Sequence, residues 1–292
     1  MNIGFIGLGS IGYPIYRHVV ENYPVRFYAR RKEIIESAKA DGGIFMPSNT
    51  ALAKECDVIL VFVNTFDQCK ECVREIAVAK DKDVTIIIGA TVSPTEITEL
   101  VEGYPNFTIL DAPVTGGVKG AIEGVLTTML SGDKEAADKC VPIIQTYSKK
   151  IVRVDDKPGQ AEVLKALVQL LVGINSVAMS EAMTLGVKAG LNPEMIYDTI
   201  TNSAGTSRIF ENRGQKVMDR DFEKRGTIEI INKDLTIASK LAFDAKSPLF
   251  LGAIAKQMFQ IAARQCDPLL DFNAVVQVYE DMAGVEIKRP EK

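Results

Sequence analysis

The chain opens with a short apolar strand that runs directly into a glycine-rich loop and then into a helix. The strand is Ile3-Gly4-Phe5-Ile6, and the loop that follows consists of Gly7, Leu8, Gly9, Ser10, Ile11 and Gly12. Glycines at this spacing allow a tight turn and a close approach of the backbone to a pyrophosphate at the helix N-terminus. The loop therefore predicts a dinucleotide-binding βαβ unit at the start of the chain.

Short runs rich in valine and isoleucine alternate with longer helical stretches up to about Arg153. The candidate strands after the first are Val25–Tyr28, Val58–Phe62, Val84–Ile88, Phe107–Leu110, Leu126–Leu130 and Ile151–Val154. Such alternation is typical of a mainly parallel sheet. After Pro158-Gly159 helical periodicity continues almost to the end. We predict an α/β fold, with a doubly wound parallel sheet in residues 1–160 followed by an all-α domain in residues 161–292.

Proline-containing segments predict where helices of the second half begin and end. Asn192-Pro193 predicts one helix start, Ser247-Pro248 predicts another, and Cys266-Asp267-Pro268 predicts the end of that second helix.

Composition limits the partners and the compartment. The chain has 292 residues, and its 34 basic and 38 acidic residues give a net charge of -4 without a long basic stripe. We therefore expect neither nucleic acid nor a membrane as the main partner. The cysteines, five in number, and the absence of a secretory n-region predict a reducing cytoplasm. Cys69 and Cys72 form a Cys-x-x-Cys pair without a second ligand pair, so we interpret them as ordinary thiols and expect no metal site.

His18 is the only histidine, and it falls in the helix after the glycine loop. Serine hydrolase triads, histidine zinc sites and dehydrogenases with a His/Asp relay all need an imidazole at the site. We expect His18 to be solvated or partly packed, which argues against these classes.

The end of the second candidate strand favours one form of the dinucleotide. An NAD site is expected to place an acidic residue about 20 residues beyond the loop. This chain has Arg30 and Arg31 followed by Lys32 instead. Because guanidinium groups bind phosphate oxygens in bidentate fashion, we predict that NADP(H) is preferred over NAD(H). The alternative is a solvated basic helix start.

Lys165 lies in an apolar run from Val163 to Val172. Burial of an unpaired ammonium is costly, so this lysine must occupy a polar cleft or change its protonation equilibrium. Either outcome suits an acid/base catalyst. Lys165, Gln169, Asn175 and Ser176 also make the apolar stretch a poor membrane span, so we predict a core helix.

Two further segments can form a substrate site with Lys165. Downstream of the candidate strand Phe107–Leu110, the backbone N–H groups of Gly116 and Gly117 and the hydroxyl of Thr115 can bind a small carboxylate. Gln169 follows Lys165 by one helical turn and projects from the same face. A lysine in this place can donate a proton to a carbonyl oxygen while hydride reaches the carbon.

The glycine loop, the Thr115–Gly117 segment and Lys165, in this order, resemble the β-hydroxyacid dehydrogenase family. This family includes 3-hydroxyisobutyrate dehydrogenases and tartronate semialdehyde reductases. The resemblance extends over essentially the whole chain and includes Pro14 after the glycine loop. It implies a Rossmann-like domain followed by a helical domain that supports a homodimer or homotetramer. Lys165 falls at the position of the family's catalytic lysine, and Asp111 to Gly117 is similar to its substrate segment, with Thr115 where serine is usual.

The resemblance also implies cofactor contacts for three more residues. Asn64 resembles a residue of a loop that lines the nucleotide, Thr91 resembles a threonine near the nicotinamide and substrate, and Lys233 corresponds to a lysine beside the cofactor.

The chain departs from the family pattern around the lysine. Ala161 replaces a glycine, and Val168 and Gln169 replace two asparagines. Gln169 is similar to the tartronate semialdehyde reductase branch, as are Met218–Phe222 and Tyr279-Glu280.

We predict an NADP-preferring oxidoreductase for a small 3-hydroxy acid or its semialdehyde. One alternative is an imine or other carbonyl reductase on the same scaffold, although related imine reductases generally replace the lysine. Another is a non-catalytic NADP-binding module for protein interaction.

Overall fold

The computed structural model describes residues 1–79 and 84–289, and the chain divides into two compact units. The units are Met1–Lys165 and Ala166–Lys292. The boundary falls inside a long helix, Gln160–Lys188, which carries Lys165.

Within the described part of the first unit, nine strands form one sheet. The strands are β1 (Ile3–Ile6), β2 (Val25–Tyr28), β3 (Ile44–Phe45), β4 (Val58–Val61), β5 (Thr85–Ile88), β6 (Thr108–Asp111), β7 (Val114–Thr115), β8 (Leu126–Ser131) and β9 (Ser148–Asp155). Their order is β3-β2-β1-β4-β5-β6-β8-β7, with β9 paired to β8. The first six strands are parallel, which confirms the predicted doubly wound sheet.

The far side of the sheet departs from a purely parallel arrangement. Strand β8 runs antiparallel to β6 and β7, while β9 is parallel to β8. The sequence patterns did not identify β3 or β7, because a strand of two residues has no periodicity to detect. The predicted strand Ile151–Val154 is the central part of the longer β9.

Helices flank the strands and then occupy the rest of the chain. They are α1 (Gly12–Val20), α2 (Lys32–Ala40), α3 (Asn49–Glu55), α4 (Phe66–Ala79), α5 (Pro94–Gly103), α6 (Gly117–Ile122), α7 (Lys134–Ile144), α8 (Gln160–Lys188), α9 (Pro193–Thr201), α10 (Arg208–Met218), α11 (Ile228–Asp244), α12 (Phe250–Gln265) and α13 (Val276–Ala283). A 3-10 turn, Phe272–Val275, precedes α13.

Both faces of the sheet are buried. Val58 and Leu60 of β4 belong to one apolar cluster, and Ile59 and Val61 belong to another on the opposite face. Alternate side chains of a strand point to opposite faces, so each face packs under its own layer of helices.

The helix starts and stops of the second unit follow local chemistry. The Asn192 side chain accepts a hydrogen bond from the Glu194 amide, with Pro193 at the first helical position, as predicted for α9. Helix α12 ends at Gln265, directly before Cys266-Asp267-Pro268, as predicted, but it begins at Phe250, two residues beyond Ser247-Pro248. The Ser247 amide donates to the Ala242 carbonyl oxygen, so this residue closes the turn that follows α11 and does not start α12.

Helix α8 is long and apolar enough to span a membrane by length and composition alone, and 44% of its most apolar 18-residue segment is buried. Core helices of soluble proteins meet the same test.

Candidate active site

The predicted cofactor residues of the first unit lie along one edge of the sheet. Strands β2, β1, β4 and β5 are neighbours and parallel, so their carboxyl ends meet at that edge. Arg30, Gly7, Asn64 and Thr91 each follow one of these ends by one to three residues. Ligands of doubly wound sheets bind at this edge.

The glycine loop is shaped by close backbone contacts. A Cβ on Gly12 would lie 1.9 Å from the Gly7 carbonyl oxygen, and one on Gly7 would lie 2.2 Å from the Phe62 carbonyl oxygen. Gly7 has a φ of +98°, a backbone angle that residues with a side chain rarely adopt. By contrast, nothing lies within 4 Å of a Cβ placed on Gly9. The open space at Gly9 beside the N-terminus of α1 therefore fits the pyrophosphate of a dinucleotide.

The two arginines after β2 are solvent-exposed at the start of α2. An Nη2 donor of Arg31 reaches the Leu8 carbonyl oxygen at 3.5 Å, which brings the guanidinium to the glycine loop. Arg30 occupies the loop between β2 and this residue. These charges are available to an anionic group bound beside Gly9.

Asn64 and Thr91 are held by the helices that follow them. The Asn64 amide donates to the Gln68 side-chain oxygen at 2.9 Å, at the start of α4. Thr91 precedes a capping box in which the Ser93 amide donates to Glu96 Oε2 at 2.6 Å and the Glu96 amide donates to Ser93 Oγ at 3.2 Å. These contacts define the two turns that line the edge.

Thr115, Gly116 and Gly117 form the turn between β7 and α6. Thr115 pairs with Thr127 of β8, which anchors one side of the turn. Gly116 and Gly117 are exposed and have φ +132° and +67°, respectively. Residues with a side chain rarely adopt such conformations. Two consecutive glycines that adopt them can turn their N–H groups toward a bound anion.

Asp111, the last residue of β6, is fully buried. Its Oδ1 accepts hydrogen bonds from Ser131 Oγ and the Gly159 amide, each at 2.7 Å. Its Oδ2 accepts from the amides of Ala161 at 3.1 Å and Glu162 at 3.2 Å. The carboxylate thus binds the N-terminal turn of α8.

Lys165 lies one turn further along α8 and is only 6% exposed. Glu162 and Gln169, which precede and follow it on the helix, are buried as well. The side chain of this lysine is therefore shielded from bulk solvent.

In the second unit, Gln169 and Lys233 share one buried carboxylate. Gln169 Nε2 donates to Asp234 Oδ2, and Lys233 Nζ lies 2.9 Å from Asp234 Oδ1. Asp234 is 2% exposed. It therefore orients an amide that the sequence predicts to bind the substrate and an ammonium that the resemblance places beside the cofactor.

The sequence argues against a catalytic role for His18, Cys69 and Cys72, and the structure places these residues in structural contacts. His18 Nε2 donates to the carbonyl oxygens of Ala121 and Ile122, at 3.1 and 3.0 Å. Cys69 and Cys72 are buried on α4, and burial, followed by the charge of Glu75, raises the pKa of Cys72 to about 12. Residues 1–79 and 84–289 contain no cluster of three or more His, Cys, Asp and Glu side chains suited to a metal.

Two buried acids were not predicted as functional residues, namely Asp111 in the first unit and Asp234 in the second. The sequence segments that contain them were identified, but their partners are distant in the chain, and Gln169 and Asp234 are separated by 65 positions. The local signal that these two residues carry in the sequence is an acidic side chain directly after an apolar strand or inside an apolar helix.

Comparison with known proteins agrees with this geometry. Residues 2–155 match the profile for the NAD binding domain of 6-phosphogluconate dehydrogenase. Residues 159–279 match the profile for the NAD-binding region of NADP-dependent 3-hydroxyisobutyrate dehydrogenase.

Individual relatives cover nearly the whole chain. L-threonate dehydrogenase of Cupriavidus necator is 32% identical over 98% of this chain and 97% of its own. The 2-hydroxy-3-oxopropionate reductase of Escherichia coli K12 is 28% identical, covering 97% and 99%. The crystal structure of 3-hydroxyisobutyrate dehydrogenase from Salmonella typhimurium superposes with a TM-score of 0.88 at 28% identity, covering 95% and 99%. The chain therefore belongs to the β-hydroxyacid dehydrogenase family and is a hydroxyacid dehydrogenase of the 3-hydroxyisobutyrate dehydrogenase type.

Proposed function

We propose that the enzyme prefers NADP(H) and interconverts a small 3-hydroxy acid and its semialdehyde, with Lys165 as the general acid/base. When bound, the nicotinamide would supply or accept the hydride. The observation that carries the proposal is an almost fully buried lysine in the helix turn that follows the Asp111 contacts.

The chain's own residues perform three tasks. Thr115 and the N–H groups of Gly116 and Gly117 bind the substrate carboxylate, which holds the reacting carbon in one orientation. In the reductive direction the oxygen of the carbonyl becomes an alkoxide, and Lys165 Nζ gives it a proton. In the oxidative direction the neutral amine takes the hydroxyl proton. Proton transfer by a positioned side chain contributes roughly 10²- to 10⁴-fold to the rate.

Gln169 is proposed to orient the substrate beside Lys165. Its amide offers two N–H groups and a carbonyl oxygen, and the contact with Asp234 uses one of the N–H groups. The Asp234 contact thereby defines which way the amide faces.

The preference for NADP(H) is supported by the two exposed arginines after β2. Arg31 reaches the glycine loop through the Leu8 carbonyl, and no acidic residue stands at the end of β2, where a ribose 2′-hydroxyl would need one. Subunit association and a cytoplasmic location remain part of the proposal, as does a carboxylate-bearing substrate.

The test is a substrate screen combined with a variant of the lysine. Purified enzyme is assayed for NADPH and NADH oxidation with small semialdehydes, including 2-hydroxy-3-oxopropionate, and for NADP⁺ and NAD⁺ reduction with L-threonate and other hydroxy acids. These two substrates are chosen from the names of the relatives.

Lys165→Ala is expected to bind NADPH normally and to lose turnover by roughly 10²-fold or more. Lys188→Ala, at the far end of the same helix, is the matched control and is expected to keep wild-type turnover. Full activity of Lys165→Ala would refute the assignment. Activity on cyclic imines but on no semialdehyde would favour the imine reductase alternative.

A further inference from the structure

Asp111 joins three parts of the first unit through one buried carboxylate. It terminates β6, it pairs with Ser131 of β8 at the point where the sheet becomes antiparallel, and it binds the first turn of α8. All four of its hydrogen-bond donors are uncharged: one hydroxyl and three backbone amides.

Helix α8 therefore receives its N-terminal acceptor from a distant strand. The first amides of a helix have no partner within the helix, and a side chain just before the helix usually accepts from them. In α8 the acceptor comes from 48 to 51 residues earlier in the chain. Ser131 Oγ accepts a second bond from the Ala161 amide at 2.8 Å. The positive end of the helix dipole also favours a carboxylate at this place.

The position of Asp111 relates it to both groups that the proposed reaction needs. Lys165 follows Glu162 and Ala161 by three and four residues, so it lies on the same helix face one turn later. In the other direction, Thr115 follows Asp111 by four residues through the segment that leads to the glycine turn. If the Asp111 carboxylate moves, the position of the first turn of α8 changes relative to β6, the strand that leads to the Thr115–Gly117 turn.

We propose that Asp111 is a positioning residue, which sets Lys165 relative to the Thr115–Gly117 turn by binding the first turn of α8. It does not contact the substrate. The inference rests on the proposed function, because the position of Lys165 matters to the reaction only if Lys165 is the general acid/base.

Asp111→Asn tests the role with little change in volume. An asparagine has one acceptor oxygen and a donor amide, so it cannot accept all four bonds. Amide hydrogen exchange in peptides covering residues 159–163 is expected to become roughly tenfold faster as the first turn opens locally. A displacement of about 1 Å costs up to ~10²-fold in rate, so kcat is expected to fall by ~10- to 100-fold. The Kd for NADPH is expected to stay within about twofold, since the glycine loop is unchanged.

Asp133→Asn is the matched control in the same unit. Asp133 Oδ1 accepts from the Ala136 amide at 2.9 Å and so caps α7, which supplies no proposed site residue. The asparagine keeps one acceptor oxygen for this single bond, so the variant is expected to lose only the charge at the start of α7 and to leave kcat unchanged. If both variants lower kcat equally, the effect is general destabilisation and the inference is wrong.

Ser131→Ala covers the case in which Asp111→Asn does not fold. It removes one donor to Asp111 and one acceptor of the Ala161 amide, but it keeps the carboxylate. Faster exchange at residues 159–163 and a smaller fall in kcat are expected. Wild-type kcat with a loosened first turn, in whichever variant folds, would overturn the inference.

One measurement separates this inference from the proposed function. The rate at which acetic anhydride acetylates Lys165, followed by mass spectrometry, needs no substrate. In Asp111→Asn this rate is expected to rise several-fold as the helix start opens, and an unchanged rate would contradict the inference whatever the activity. If Lys165→Ala keeps full turnover, the proposed function fails instead.

Discussion

Two glycines of the same loop are expected to respond in opposite ways to the same substitution. A Cβ on Gly12 would lie 1.9 Å from the Gly7 carbonyl oxygen and 3.2 Å from Phe62 Cβ, whereas one on Gly9 meets nothing within 4 Å. Neither glycine has a positive φ, so alanine is compatible with both backbone conformations. At such positions Gly→Ala usually stabilises a protein by about 0.4–1 kcal/mol through the unfolded state.

The magnitude for Gly12→Ala follows from the overlap. Ordinary contact begins near 3.4 Å, so the loop and the start of α1 must separate to accept the methyl group. Forcing a methyl group into a packed site costs about 1–3 kcal/mol, which exceeds the usual gain from alanine. The expected result is a lower free energy of unfolding and, in a protein of this size, a Tm reduced by roughly 2–4 °C per kcal/mol. The Kd for NADPH is expected to rise as well, because the loop loses its shape.

Gly9→Ala separates binding from stability. The free protein is expected to keep its Tm or gain slightly, while the methyl group occupies the space that fits the pyrophosphate. We expect the Kd for NADPH to rise at least tenfold, equivalent to about 1.4 kcal/mol. Thermal unfolding without cofactor and fluorescence titration with NADPH measure the two effects. Wild-type affinity of Gly9→Ala, or an unchanged Tm of Gly12→Ala, would refute the reasoning about this loop.

Three other results are expected. Arg30→Ala combined with Arg31→Ala should raise the KM for NADPH roughly tenfold and leave that for NADH nearly unchanged, because a phosphate contact contributes about 1.5–3 kcal/mol; equal losses with both cofactors would argue against a 2′-phosphate site. The Cys72 thiol, whose pKa burial raises to about 12, should remain unmodified by a thiol-specific reagent at pH 8 until the protein is denatured, as mass spectrometry of the labelled peptide would show. Asp234→Asn should raise the KM for the carbonyl substrate more than it lowers kcat, because it releases the Gln169 amide; unchanged kinetic constants would remove Asp234 from the site.

Much of the first unit was predictable because its signals are local. β1 and β2 were predicted with the bounds that the structure has, since each is a short run rich in apolar residues between turns. The glycine loop was equally clear, because its spacing has meaning only between a strand and a helix. The start of α12 was misplaced by two residues, since the Ser247 amide closes the turn after α11 through a bond to the Ala242 carbonyl oxygen.

The less predictable features depend on partners remote in the chain. Strand β7 has two residues, and it exists because β8 pairs with it. The direction of β8 next to β6 follows from the pairing of Asp111 with Ser131, which no hydrophobic pattern encodes.

Local patterns in the chain were enough to establish the class of fold, the dinucleotide loop and the candidate lysine, because each depends on residues within a few positions of one another. The roles of Asp111 and Asp234 became visible with the folded chain, since a buried carboxylate is defined by the donors around it. Those donors come from other strands and helices, and a linear sequence does not state which of them will meet.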